Sequence, residues 1–167
     1  MKTKFLFAGL LIVALAPACK KDKKLSDTDE NFMKNAAYAN YNEIDAGQLA
    51  GTQATDSAVR SFAHMMVAEH QTALNELKSL AQDKDIALPT GPDAAHIAAK
   101  QQLQQLSGHA FDSAYIHMQV TDHQTTVNLF QGEINSGENE DVQNYARKYL
   151  PHIQMHLNMA DTIADRF

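Results

Sequence analysis

Apolar residues recur at spacings of three and four along most of this chain, and no stretch of any length shows the period-two alternation of a half-buried strand. The spacing predicts four long helices and a short one. The first runs from about Asp29 to Ala50, with Phe32, Ala36, Ala39, Glu43, Ala46 and Ala50 on one stripe, and is closed by Gly51. The second starts at a Thr55 or Asp56 cap and turns Val59, Ala63, Met66, His70, Ala73, Leu77 and Ala81 inward. After the break DKDIALPTGP, a weakly amphipathic Ala- and Gln-rich segment from Asp93 to about Leu106 reads as a connector across the other helices. The fourth, from about Phe111 to Asn135, aligns Ile116, Gln119, His123, Val127, Phe130 and Ile134. The fifth, from Glu138 to the C-terminus, aligns Val142, Tyr145, Tyr149, Ile153, His156, Ala160 and Ile163, with Pro151 expected to kink it. The expected fold is all-α, a four-helix bundle with a short connecting helix between the second and third long helices.

Two of these helices carry the same text. Residues 62–77 read FAHMMVAEHQTALNEL and residues 115–130 read YIHMQVTDHQTTVNLF. At a shift of 53 residues His64 falls on His117, Met65 on Met118, His70 on His123 and Asn75 on Asn128. The pattern implies a duplicated helix.

The ends and the charge refine this picture. Lys2 and Lys4 precede the apolar run FLFAGLLIVALA, so residues 1–18 read as a secretory signal, too short to span a bilayer comfortably. Leu15-Ala16-Pro17-Ala18-Cys19 resembles a bacterial lipobox, and Cys19 is the only cysteine of the chain. Lipidation of Cys19 is therefore expected, with residues 19–28 as a polar tether and residues 29–167 as the folded domain; a simple cleaved signal is the alternative. These features place the protein in the cell envelope, attached to a membrane through the lipid, on the periplasmic face or at the outer membrane. From Leu25 on, eight basic residues face nineteen acidic ones, which excludes nucleic acid as a partner.

The candidate chemistry lies in the histidines. His64 and His70 are six residues apart, about 240° around a helix, so only one of them can be central. The apolar stripe selects His70, and by the same count His123 over His117. Glu43, His70, His123 and His156 then place one ionisable group on each long helix, with His152 one turn before His156. An antiparallel register puts His123 level with about His152, whereas Glu43 sits about 10 Å from the height of His70. Three buried imidazoles and a carboxylate are satisfied either by a transition metal (Zn, Cu or Fe) or by a His-carboxylate hydrogen-bond network. Glu69 and Asp122, each preceding an inward histidine, are candidates to orient a ring.

FAHMMVAEH, LSGHAFDSAYIHMQVTDH and YLPHIQMHL together resemble the ferritin-like bacterial family catalogued as domain of unknown function 4142. The resemblance covers nearly all of the mature chain and implies a ferritin-like up-down bundle. The family's recurring positions fall here on Glu43, Glu69, His70, Phe111, Asp112, Tyr115, His123, Pro151 and His156, which adds Tyr115 to the groups expected around the site. Di-iron members of the wider group use Glu-x-x-His, but Val67, Val120 and Ile153 stand three residues before the inward histidines, which disfavours a di-iron centre. Two other readings stay open. Met65, Met66, Met118, Met155 and Met159 beside histidines suit a copper-binding stress protein; purely structural histidines suit a non-catalytic envelope or adhesion module. The anchor is tested directly: Cys19→Ala should move the protein from the membrane fraction to the soluble one, and a wild type that takes up no labelled fatty acid refutes it.

Overall fold

In the computed structural model, which describes residues 25–167, the chain is all-helical, with no strand among the described residues. The expected signal segment, Cys19 and the lysine-rich start of the tether lie outside the described residues. The helices are α1 (Asp27–Gln53), α2 (Ser57–Asp83), α3 (Ala94–Leu103), α4 (Gly108–Ser136) and α5 (Glu140–Ala164).

Capping explains where the boundaries differ from the apolar pattern. Ser26 and Asp29 form a reciprocal capping box, so α1 starts ahead of its first apolar residue, and Leu25 before it is buried. The end of the expected tether is thus already folded. Asp56 caps α2, Asp93 caps α3 and Asn139 caps α5, each accepting two backbone N–H groups. α5 runs helically through Pro151.

α1 packs along α2 and α4 along α5, and contacts of α1 with α4 and α2 with α5 bring the two pairs together. At Gly47 the α1 and α2 backbones approach so closely that an added Cβ would lie 2.9 Å from Val67 and 3.0 Å from the Ala63 carbonyl. The core has two apolar halves. One gathers Phe32, Met33, Leu74, Leu77, Phe130 and Tyr145; the other Val59, Phe62, Met66, Phe111, Tyr115 and Ile116. Buried polar side chains, among them Asn40, Glu43, His70, Gln119, His123 and His156, belong to neither half.

Two buried aspartates lock the pairs to each other. Asp112, near the start of α4, accepts from the backbone N–H groups of Thr55 and Asp56 and from the Thr55 hydroxyl, in the turn between α1 and α2. Asp29, near the start of α1, accepts from the N–H groups of Glu138 and Asn139, in the turn between α4 and α5. α4 therefore starts where α1 ends and ends where α1 starts. It runs antiparallel to α1 and parallel to α2, which is why a long connection containing α3 must return the chain from the end of α2. α3 itself buries only Leu103. It is held by polar links: His96 to Asp93, Asn42 and Asp122, and Lys100 to Asp45.

Replacing Asp112 with Ala strips several charge-assisted bonds at once and leaves buried donors unpaired. A loss of stability on the order of 3 kcal/mol is expected in denaturant titration, against less than about 0.5 kcal/mol for an exposed control such as Gln124→Ala.

Candidate metal centre

His70 on α2, His123 on α4 and His156 on α5 come together in the core, 5%, 1% and 2% exposed. Their ring centroids are 5.7 Å apart for His70 and His123, and 5.4 Å for each of the other two pairs. One nitrogen of each ring lies within 4.8 Å of the others. The parallel course of α2 and α4 puts the two repeated histidines at the same depth, and α5 adds the third from the antiparallel side. The face assignment also holds at the outward pair, since His64 and His117 are exposed.

The hydrogen bonds fix the tautomer of each ring. His123 Nδ1 donates to the carbonyl of Gln119 at 2.9 Å, an acceptor with no alternative role. Asn40 spends its amide N–H groups on the Ala36 carbonyl and the Tyr145 hydroxyl, so its oxygen accepts from His70 Nδ1 at 3.0 Å. His156 Nε2 donates to Glu69 Oε2 at 3.1 Å. The lone pairs that remain are on His70 Nε2, His123 Nε2 and His156 Nδ1, and these three nitrogens have no partner. Burial, with the neighbouring His123 and His156 rings, holds His70 well below its ordinary pKa. Burial also lowers His123, against the Gln119 carbonyl and Asp122. His156 is lowered to about 4 by burial and by His123, against the pull of Glu69. All three rings are neutral at pH 7 and ready to coordinate.

The other expected site residues fall elsewhere. Glu43 does not join the group. It is buried one turn along α1 from Asn40, with Oε1 3.6 Å from His123 Nδ1, the nitrogen already committed to Gln119. Burial, then Asp122, pushes its carboxyl up to about 8. His152 points to the surface, its side chain 55% exposed, with Nδ1 3.5 Å from Glu69 Oε2. Glu69 does orient a histidine, but it is His156 across the interface and not its neighbour His70, because adjacent residues of a helix point about 100° apart. Asp122 turns away from His123 for the same reason and pairs with His96 Nε2 at 3.3 Å. Tyr115 is buried, its hydroxyl without a partner, and burial and Glu43 raise it well above the usual tyrosine range. Met66 is core filler, whereas Met155 and Met159 are exposed.

Sequence reasoning missed Asn40 and His96. Asn40 lies on the apolar side of α1 among alanines, where a buried amide is the only available signal. His96 sits between Asp122 and Asp93, whose carboxylates outweigh its partial burial and raise it to about 9. It walls a solvent-open pocket of about 480 Å³ between α1, α3 and α4.

The arrangement defines an all-α protein with a buried cluster of three imidazoles. The chain belongs to the family described as domain of unknown function (DUF4142), whose profile matches residues 14–163. It is similar in structure to a DUF305 fragment from Deinococcus radiodurans, at TM-score 0.76 and 11% identity, over 87% of this chain and 100% of that one. A putative secreted DUF305 protein from Streptomyces coelicolor matches at TM-score 0.70 and 15% identity, over 83% and 92%. A conserved hypothetical protein from Mycobacterium tuberculosis matches at TM-score 0.66 and 11% identity, over 84% and 92%. At these identities the likeness establishes the fold. No curated protein matches the chain.

The neutral burial of the triad makes stability depend on pH. A histidine with a folded pKa below the unfolded value of 6.5 contributes fully above 6.5, and that contribution is lost as the pH falls toward about 4. Glu43 and Glu133, both raised to about 8, act oppositely: their contribution is complete below the ordinary carboxyl value of 4.5 and is lost as the pH rises through about 8. The difference between wild type and His156→Leu reads His156 together with its effect on the neighbouring His70 ring. Relative to wild type, the metal-free variant should gain up to about 2 kcal/mol between pH 7 and pH 5 in denaturant titrations.

Proposed function

We propose that this protein holds one transition-metal ion, Zn, Cu or Fe, on His70, His123 and His156, within a ferritin-like four-helix bundle tethered to the cell envelope through Cys19. One observation carries the metal reading: three buried imidazole nitrogens have no hydrogen-bond partner, in rings that each bring one nitrogen within 4.8 Å of the others. Each ring is locked by an obligate acceptor into the tautomer that leaves the inner nitrogen bare, so the rings cannot hydrogen-bond to one another. A single water has two protons for three lone pairs. A cation satisfies all three, and each unmet group would otherwise cost about 1 to 3 kcal/mol. The Gln119 carbonyl, Asn40 and Glu69 are the outer acceptors that ligating histidines ordinarily require.

Three neutral nitrogens without thiolate suit Zn, Cu or Fe and leave a coordination position unfilled by protein. The absence of a bridging carboxylate among the grouped residues argues against di-iron chemistry. The long return connection between the parallel helices α2 and α4 supports the ferritin-like topology, in which one crossover is long. Among the described residues no helix is long and apolar enough to cross a membrane. The Streptomyces relative described as a putative secreted protein is in keeping with export.

Metal analysis of protein purified without added ions tests the reading. Near one equivalent is expected in wild type, His64→Ala and His117→Ala, and a loss in His123→Ala and His156→Ala. Metal at a hundredfold above its dissociation constant should stabilise the wild type by about 2.7 kcal/mol and leave those two variants unmoved. A wild type that binds no metal at micromolar concentration, with inward variants that only unfold earlier, refutes it.

A further inference from the structure

We propose that Glu69 and His152 form a capture site at the surface, through which a transition-metal cation passes to the buried histidines. The inference rests on the metal reading above and assigns the route of that same site.

One carboxylate oxygen joins the outside to the inside. Glu69 Oε2 is 3.5 Å from His152 Nδ1 and 3.1 Å from His156 Nε2. Side-chain exposure falls along this line from 55% at His152 to 37% at Glu69 and 2% at His156. A cavity of about 30 Å³, room for about one water-sized species, is walled by Glu69, His152, His156 and His70, with Ala73 and Ile153 among the apolar remainder. Two of the three inner imidazoles therefore border the same space as the two outer donors. A hydrated cation can exchange water for the carboxylate and the outer imidazole before it meets the inner rings. It then moves by ligand exchange, with no redox step. Tyr149 packs beside His152, ring centroids 6.1 Å apart, and is itself fixed by its hydroxyl bond to Glu76.

A second pocket lies on the α1/α4 face. It is larger and carries Asp93, Asp122 and Glu43, yet none of the three inner histidines lines it. Its two aspartates are engaged with His96. Glu43 lies 3.6 Å from His123 Nδ1, the nitrogen that donates to the Gln119 carbonyl.

A transit residue stabilises the barrier crossed in both directions, so removing it slows entry and exit alike and leaves the equilibrium unchanged. The experiment is stopped-flow uptake of Co²⁺ by the metal-free protein, read by visible absorption, with release measured against a chelator. His152→Ala should lower both rate constants about tenfold, with dissociation constant, stoichiometry and melting temperature unchanged. Glu69→Gln should slow uptake and also weaken binding, because it orients His156. Asp122→Asn should take up Co²⁺ at the wild-type rate. Unchanged rates in His152→Ala overturn the proposal, and so does a weaker equilibrium with an unchanged association rate, which would make His152 a ligand. Slowed uptake in Asp122→Asn moves the route to the other face and overturns it too. A wild type that takes up no Co²⁺ overturns both this route and the metal site.

Discussion

The reciprocal bonding of Asp29 and Asp112 to each other's turns sets the frame in which everything else sits. Each carboxylate lies near the start of one helical pair and satisfies backbone N–H groups in the turn of the other. Apolar packing holds the two helical pairs together, but the hydrophobic force itself is non-directional. Directional bonds to charged acceptors do not slide. With both ends pinned, α2 and α4 run parallel at matched heights, and the depth at which His70, His123 and His156 meet is decided far from the histidines themselves. Asp29 keeps the charge that such bonds need. Burial pushes its carboxyl up, but Ser26, the N–H groups of Asn139 and Glu138, and Glu133 together hold it below its ordinary value. Glu133 beside it is driven to about 8 by burial and by Asp29, so the pair avoids two adjacent charges.

The apolar halves and the polar layer divide the work. Phe32 meets Phe130 and Tyr145 edge to face at one end, with Phe32 and Phe130 centroids 5.0 Å apart, while Phe111 and Tyr115 stack at the other. Between them the layer contains polar atoms that hydrogen bonds within the protein leave unmet. The same low-dielectric surroundings that make those atoms costly keep the imidazoles neutral, because poor solvation penalises the charged ring.

Much of the fold was legible because a helix repeats every 3.6 residues and a burial stripe must follow. The stripes of α2 and α5 are buried at each expected position from Val59 to Ala81 and from Val142 to Ile163. The 240° angle between His64 and His70 allowed only one of them inside, and the apolar stripe selected His70. On α4 the buried stripe drifts to Thr126 and Glu133, with Val127 and Ile134 only half covered, because a straight helix does not keep an apolar line of fixed spacing against one neighbour. Register arithmetic located heights to within a turn, which sufficed to bring His156 near His123 and failed to separate it from His152. It could not assign Glu43 to the far side of His123, nor give Glu69 to His156, since those outcomes depend on side-chain direction across an interface. Asn40, Asp29 and Asp112 have partners more than twenty-five residues away in sequence, and no local pattern marks such pairs.

The attachment of α3 has a different physical character from the rest of the molecule. The four long helices cohere through apolar surface removed from water, a force that ordinary changes in ionic strength hardly touch. α3 hides a single leucine and is moored by half-exposed charges, Asp93, His96 and Asp122 on one side and Lys100 with Asp45 on the other. Such contacts fade over a Debye length of about 8 Å at physiological salt and about 3 Å at 1 M. Brine therefore acts on this molecule selectively: it loosens the strap across the α1/α4 face, and the pocket beneath, while leaving the histidine layer where it stands.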